Sequence, residues 1–239
     1  MNTPARPLSS VPPAVRWLLA AALASQLGWQ AGRPPPRARA EALPPAPSAA
    51  ALQLASLGDP LALSRVLMLY VQGYDDQAGV AIAWRDMDYG RIRQWLERVL
   101  ELDPRSQYPL LAASEVYGAV GDPARVRLML ELVYARFGED PNRRWPWLAH
   151  AAVVARHRLH DLPLARRYAQ AIRLRATGPQ VPVWARELEL FILEDMNQAE
   201  AQRSLIGALL ASGQITDANE LRFLERRLQS LAAPAQPSR

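Results

Sequence analysis

The three histidines of the chain stand close together, at His150, His157 and His160, and Asp161 follows directly. Imidazole nitrogens and carboxylates are zinc ligands, and the same side chains act as acid and base in hydrolysis. At about 100° and 1.5 Å per residue, a helix places His150 and His157 on one side but about 10 Å apart. One metal ion would therefore need His160 to turn back toward them.

Three interpretations of this cluster are open. The first is an exported metal-dependent or hydrolytic enzyme with a site at His150, His157 and Asp161. The second is a set of solvated histidines, since Leu148 and Ala155 mark a buried stripe on the opposite side of the helix. The third is a contact surface for a partner. Adjacent acidic residues point different ways on a helix, so we expect no catalytic carboxylate pair. Of the three interpretations we favour those without catalysis, and we expect no enzyme activity, metal or cofactor.

Composition excludes several kinds of chemistry. The 239 residues include no cysteine and no lysine, which excludes thiol nucleophiles, disulfides and a phosphate-binding P-loop lysine. Residues 1–50 hold five arginines and one glutamate, whereas the remainder is nearly neutral, with 23 arginines and 22 acidic residues. Nucleic-acid binding needs a concentrated basic surface, so we expect no nucleic-acid partner.

An uncharged apolar run, Trp17–Ala31, lies between Arg16 and Arg33. As a helix it would extend about 22 Å, which permits a thin span of the ~30 Å hydrocarbon core with tryptophan at each interface. We predict a signal-anchor helix over residues 1–32, with residues 15–32 in the membrane. The expected location is a bacterial inner membrane, crossed once, with the folded domain in the periplasm. A cleaved signal peptide and a soluble helix are the alternatives.

Six prolines in residues 33–50 disfavour a helix and favour extended backbone. We predict a semi-rigid linker there, which would separate the following domain from the bilayer. Residues 233–239 are polar and contain proline, and they predict a disordered tail. The folded domain is expected at residues 51–232.

Residues 51–232 alternate apolar helical patterns with short breaks, and the β-branched runs typical of strands are scarce. In Asp88–Pro104 apolar residues recur at helical spacing, and Asp103-Pro104 ends the helix. Similar segments open near Gly121, Asp161 and Asn197, each after an apolar helix. The preceding first helices are predicted at Leu61–Tyr74, Tyr108–Ala119, Trp145–Leu159 and Val183–Met196. Thr216–Leu231 predicts a terminal amphipathic helix that seals the last hairpin.

The equivalent small or apolar residues early in the second helices are Ile92, Val126, Ala165 and Ala201, with separations of 34, 39 and 36 residues. This spacing, with the Leu-Asp-Pro ending at 102–104, resembles the tetratricopeptide repeat, whose period is about 34 residues. The resemblance covers about residues 61–231 in three to four repeats. It implies an all-α, right-handed solenoid of helical hairpins. Glu189 stands where the family has a small residue, and Arg156 where it has an aromatic one.

Residues 140–150 and 193–196 are also similar to uncharacterised membrane-associated bacterial proteins of the tetratricopeptide type. In that family the first helices line a concave groove. The resemblance thus implies a membrane-tethered scaffold or adaptor for a protein or peptide partner; a structural, lipid-proximal protein without a groove is a further hypothesis. The predicted groove residues are Tyr108, Leu111, Glu115, Trp147, His150, Val154, His157, Arg158, Arg186, Leu190 and Glu194. In the third unit the sequence allows two registers, which differ by one residue.

Overall fold

The computed structural model describes residues 12–32, 40–213, 215 and 217–232. The predicted tail at 233–239, residues 33–39 of the predicted linker, and the first eleven residues of the predicted signal-anchor segment lie outside these ranges. The chain divides into two compact units, Met1–Arg39 and Ala40–Arg239.

The first unit contains helix α1, Pro13–Ala31, whose residues are all exposed. Proline at its first position fits, because the first N–H groups of a helix have no intrahelical acceptor. Judged on length and apolar composition, no helix in the described ranges would cross a membrane alone. The pair Ala49–Ala55 and Pro60–Asp75, bent by 110°, meets the same criteria together.

The second unit is helical apart from one short hairpin. Its helices are α2 (Ala49–Ala55), α3 (Pro60–Gln72), α4 (Tyr89–Leu102), α5 (Tyr108–Leu111), α6 (Pro123–Phe137), α7 (Pro141–His157), α8 (Leu162–Arg175), α9 (Val183–Asp195), α10 (Ala199–Ala211) and α11 (Ala218–Ala232). Strands β1 (Asp76–Gln77) and β2 (Val80–Ala81) pair antiparallel between α3 and α4. Because these four residues are the only strand residues in the described part of the chain, the predicted all-α class is confirmed.

Aspartates fix where several helices begin. One side-chain oxygen each of Asp59, Asp88, Asp122 and Asp161 accepts a backbone N–H in the first turn of α3, α4, α6 and α8, at 2.9–3.1 Å. Each carboxylate satisfies a donor that the helix itself leaves free. Proline follows in the first two positions of α3, α6 and α8, where no N–H is required.

The predicted helix Tyr108–Ala119 is not one continuous α-helix. After α5, a π-helical turn covers Ala112–Val116 and a 3-10 turn covers Tyr117–Ala119. The hydroxyl of Ser114 donates to the carbonyl of Leu111 at 3.3 Å, which competes with the regular backbone pattern. The small residues in the first half of the π turn are buried against the core.

Helix α7 begins at Pro141, earlier than predicted, and contains Pro146. Pro146 has no N–H for the carbonyl of Asn142. The side chain of Gln180 donates to that carbonyl at 3.4 Å, and Asn142 Oδ1 accepts the N–H of Gly178 at 2.7 Å. Asn142 therefore ties the start of α7 to the α8–α9 loop.

Helices that follow each other in the chain pack together, from α3 on α4 to α10 on α11. Contacts also join α4 to α6, α5 and the π turn to α7, and α7 to α9. The main core runs from Leu43 to Ile192. A smaller cluster joins α9, α10 and α11 through Leu190, Leu193, Leu205, Ile206 and Leu224.

Residues 40–48, here called the strap, belong to the second unit. Leu43 is buried, and side chains of α4 donate to the carbonyls of the strap. The pairs are Arg91 to Leu43, Trp95 to Pro44 (2.8 Å) and Arg98 to Pro47 (3.1 Å). The second unit accordingly starts at Ala40, whereas the sequence predicts a semi-rigid linker over residues 33–50. A proline-rich backbone has carbonyl acceptors to which α4 can donate.

Candidate partner-binding surface

The first helices of the predicted hairpins are α3, α7, α9 and the segment Tyr108–Ala119, which begins with α5. Hydrogen bonds join first helices of successive hairpins. The hydroxyl of Tyr108 donates to Oε1 of Gln72 at 2.7 Å. Nε1 of Trp147 donates to Oε1 of Gln107, just before α5, at 2.8 Å. The partners are 36 and 40 residues apart in the chain. Each bond therefore links a position to a nearly equivalent position of the next hairpin.

The two departures from the tetratricopeptide pattern both form ion pairs. Arg156 of α7 contacts both carboxylate oxygens of Asp195 in α9, with 2.9 Å from Nη2 to Oδ1. Glu189 is 2% exposed and accepts from Arg166 at 3.3 Å and from Arg173 at 2.9 Å, both on α8. A buried carboxylate is costly without such partners, and here two guanidinium groups supply them.

The second helices are linked in a similar way. The hydroxyl of Tyr168 in α8 donates to Oε1 of Glu131 in α6 at 3.0 Å, and Arg167 contacts the same oxygen. Burial, assisted by the charge of Glu131, raises the pKa of Tyr168 above its ordinary value. Arg127 of α6 pairs with Asp161, just before α8, at 2.7 Å.

Arg144 is fully buried where three helices meet. Its guanidinium donates to the carbonyl of Pro104 at 2.6 Å, to Oε2 of Glu139 at 2.5 Å and to the carbonyl of Arg136. Burial alone would raise the pKa of Glu139, but hydrogen bonds from Arg136 and Arg144 outweigh it and lower that pKa. Arg144 thus clamps the ends of α4 and α6 to α7.

One line of side chains on α7 is left accessible. With Leu148 in the buried stripe and about 100° per residue, His150, Val153 and His157 lie on the opposite side. His157 is exposed, Val153 is 44% exposed and His150 is partly buried. The sequence identified both histidines but missed Val153.

Three further predicted groove residues of this hairpin lie elsewhere. Val154 is 5% exposed, which corrects the prediction: it lies about 100° around α7 from Val153 and is buried in the main core. Trp147 is partly buried and holds Gln107. Arg158 donates to the carbonyls of Gly118, Ala119 and Val120 at 2.6, 2.9 and 3.0 Å, and so caps the 3-10 turn of the preceding hairpin.

In the preceding hairpin the predicted residues remain reachable. Tyr108 is 43% exposed although its hydroxyl is bonded, Glu115 is exposed, and Leu111 is partly buried. Trp84, between β2 and α4, lies in the same region, with its ring centroid 6.4 Å from that of Tyr117. Nε1 of Trp84 donates to Oδ2 of Asp75 at 2.7 Å. A cleft of about 210 Å³ opens beside it, lined by Gln72, Asp75, Trp84, Met87, Val116 and Tyr117.

In the last hairpin the predicted residues lie beside α11 rather than on a free face. Leu190 is 3% exposed and packs in the small cluster with Leu224, which corrects its assignment to an open groove. Glu194 forms an ion pair with Arg227 of α11. Arg186 lines a cleft of about 620 Å³. The sequence predicted that a terminal helix seals this hairpin, but not which residues it covers.

Two carboxyl groups meet where α11 lies on α9. Burial, reinforced by the neighbouring Glu220, raises the pKa of Glu187 from 4.5 to about 7. Burial is also the main cause that raises the pKa of Glu220. In the ranges the structure describes, Oε1 of each glutamate and Nε of Arg186 are buried without a hydrogen-bond partner. A shared proton lets the two carboxyl groups bond to each other.

The histidine cluster is spread around the end of α7. His160 adopts a φ of 51° after the helix, and Asp161 caps α8 and pairs with Arg127. Burial alone would raise the pKa of Asp161, but these bonds lower it. Among the described residues, no three His, Asp or Glu side chains are grouped to hold a metal. The enzyme site at His150, His157 and Asp161 stays a prediction.

No protein-family model, curated protein or solved structure matches the chain. The resemblance to the tetratricopeptide family therefore stays an expectation from the sequence pattern.

Proposed function

We propose that this chain is a membrane-tethered adaptor, built as a tetratricopeptide-like solenoid, that binds a protein or peptide partner on the exposed face of its first helices. The observation that carries the proposal is the series of contacts between residues 34–40 positions apart. These contacts join first helix to first helix and second helix to second helix. Units that contact their neighbours at a similar sequence offset are the pattern of a repeat protein.

The proposed partner surface consists of first-helix side chains that remain exposed after the helices pack together. Tyr108, Glu115, His150, Val153 and His157 are exposed or partly so, and they lie on the first helices of two adjacent hairpins. Aromatic, imidazole and apolar groups together suit a polypeptide ligand, since such side chains supply much of the energy of protein interfaces.

The tether is proposed to be the apolar segment that contains α1. Trp17–Ala31 carries no charge, and a basic residue precedes it. This order of features supports insertion into a bacterial inner membrane with the second unit in the periplasm.

Partner capture by the full tagged chain tests the surface. Val153→Asp places a charge on the proposed face, and Ala135→Asp does the same on an exposed position of α6. We expect Val153→Asp to lose a protein that the parent chain and Ala135→Asp both retain. Equal capture by all three would contradict the proposed surface.

Fractionation tests the tether separately. We expect the full chain to resist alkaline extraction from membranes and to be digested by protease in spheroplasts but not in intact cells. Release without detergent would contradict the anchor and leave the partner surface to be judged by capture alone.

A further inference from the structure

The corner between α2 and α3 exposes an unusual amount of aliphatic surface. Leu54, Leu57 and Leu61, here called the leucine corner, are 79%, 94% and 51% exposed. Along α3, Val66 and Leu69 continue this surface with 58% and 69% exposure. The opposite side of α3 is buried through Leu67, Met68 and Val71. Helix α3 is thus apolar on both sides, although the described residues cover only one of them.

The backbone holds Leu57 at the apex in a conformation that leucine disfavours. Three described non-glycine residues have a positive φ, and two of them, His160 and Asn197, are of types that tolerate it. Leu57, with a φ of 49°, is not of such a type, and Gly58 follows it. Glycine or asparagine would be expected at this helix end. A strained, almost fully exposed leucine is therefore unexplained by the fold and points to a function.

The composition of this surface favours lipid over protein as its partner. Residues 49–72 contain one acidic residue, Asp59, and one basic residue, Arg65. The carboxylate of Asp59 is used as the cap of α3, at 2.9 Å from the N–H of Ala62. Protein interfaces draw their energy from Trp, Tyr and Arg, whereas Leu and Val are under-represented among their key residues. The two helices also have, together, the length and apolar composition of a bent membrane segment.

The covalent tether makes contact with a bilayer possible. Because the strap is bound to α4, only residues 33–39 separate Gly32 from the second unit. Eight residue steps span at most about 29 Å. If α1 is anchored as proposed, this short connection keeps Ala40 within that distance of the point where the anchor ends.

We infer that the leucine corner inserts its side chains into the surface of a lipid bilayer and gives the second unit a second membrane contact. The inference depends on the proposed membrane tether. The corner lies at the interface, with its side chains about 5–10 Å deep, as amphipathic surface helices do. Its backbone groups are paired locally, from Leu57 to Leu54 at 3.2 Å and from Asp59 to Ser56 at 2.8 Å.

The absence of cysteine from the chain allows a direct test with single fluorescent labels. The full chain is reconstituted in phosphatidylcholine vesicles that contain nitroxide-labelled lipid. Labels are attached through Leu57→Cys at the corner, Ala135→Cys on an exposed site of α6, and Leu23→Cys in α1. We expect quenching at position 57 to exceed quenching at position 135 several-fold and to be lost with Leu54→Asp. Leu61→Cys should repeat the result if a label at position 57 disturbs the corner.

The controls separate the possible failures. Quenching at position 23 with none at positions 57 and 61 would overturn the inference and leave the tether standing. No quenching at position 23 would contradict the tether and the inference with it. Protection of position 57 in cell membranes but not in lipid vesicles would show a protein over the corner, which also overturns the inference. Adding phosphatidylglycerol should change little, because the surface carries one charge of each sign.

Discussion

Nε1 of Trp147 donates to Oε1 of Gln107 over 2.8 Å, although the two residues lie 40 positions apart. The bond joins the first helices of two successive hairpins. Trp147 was predicted from the sequence to face a partner, yet its polar atom is used within the molecule. We therefore expect its loss to act mainly on stability.

Trp147→Ala should lower the free energy of unfolding by about 2–4 kcal/mol, since a large, partly buried ring is removed. Trp147→Phe keeps most of the apolar surface and should cost about 1 kcal/mol for the lost hydrogen bond. Urea unfolding of the full chain measures both. An unchanged urea midpoint for Trp147→Ala would show that this contact does not hold the hairpins together.

Arg144 should contribute more to the free energy of unfolding than its exposed neighbour Arg143. Arg144→Met leaves two carbonyls and the carboxylate of Glu139 without their donor, and should cost about 3 kcal/mol or more. Arg144→Lys should recover little, because an ammonium group cannot reproduce the forked geometry. Arg143→Met, as control, should cost less than about 1 kcal/mol. Full recovery by lysine would mean that charge alone is needed at this position.

The pair Arg156–Asp195 should couple two hairpins measurably. A double-mutant cycle with alanine should give a coupling energy of about 0.5–1 kcal/mol that weakens with salt, as for partly exposed ion pairs. Arg93–Glu97, which lies within α4, is the matched control and should give about 0.3–0.5 kcal/mol. A coupling of zero between Arg156 and Asp195 would remove this pair from the contacts that join the units.

The carboxyl pair under α11 predicts a pH dependence of stability. The pKa of Glu187 is raised from 4.5 to about 7, so the folded chain binds this proton more tightly than the unfolded chain. The stabilisation is complete below about pH 4.5 and is lost as the pH rises through about 7. Glu187→Gln removes the titration and should be about 1–2 kcal/mol more stable than the parent near pH 8 but similar near pH 5. A constant difference across this range would contradict the shared proton.

The sequence predicted those elements that local patterns specify. The aspartates before α4, α6 and α8 and the 3.6-residue periodicity located α4, α6, α8 and α9 closely. They also located His150 and His157 on the side opposite the buried stripe. These features depend on residues a few positions apart, which a single sequence displays directly.

What the sequence missed depends on contacts between distant segments. The sequence predicts the strap as part of a semi-rigid linker, because its partners Arg91, Trp95 and Arg98 lie about 50 positions further along the chain. Leu190 was predicted to line a groove, but α11 covers it. Val153 is exposed and Val154 is buried, and the local sequence does not determine which of the two adjacent residues faces outward.

Site-specific photocrosslinking shows whether the first helices bind a polypeptide partner. A photoreactive amino acid is placed in the full chain, within the cells that produce it, at position 153, 157 or 135. If the first helices bind a polypeptide, positions 153 and 157 will crosslink to the same protein and position 135 on α6 will not. Crosslinking of that protein from all three positions, or from position 135 alone, would contradict the proposed surface.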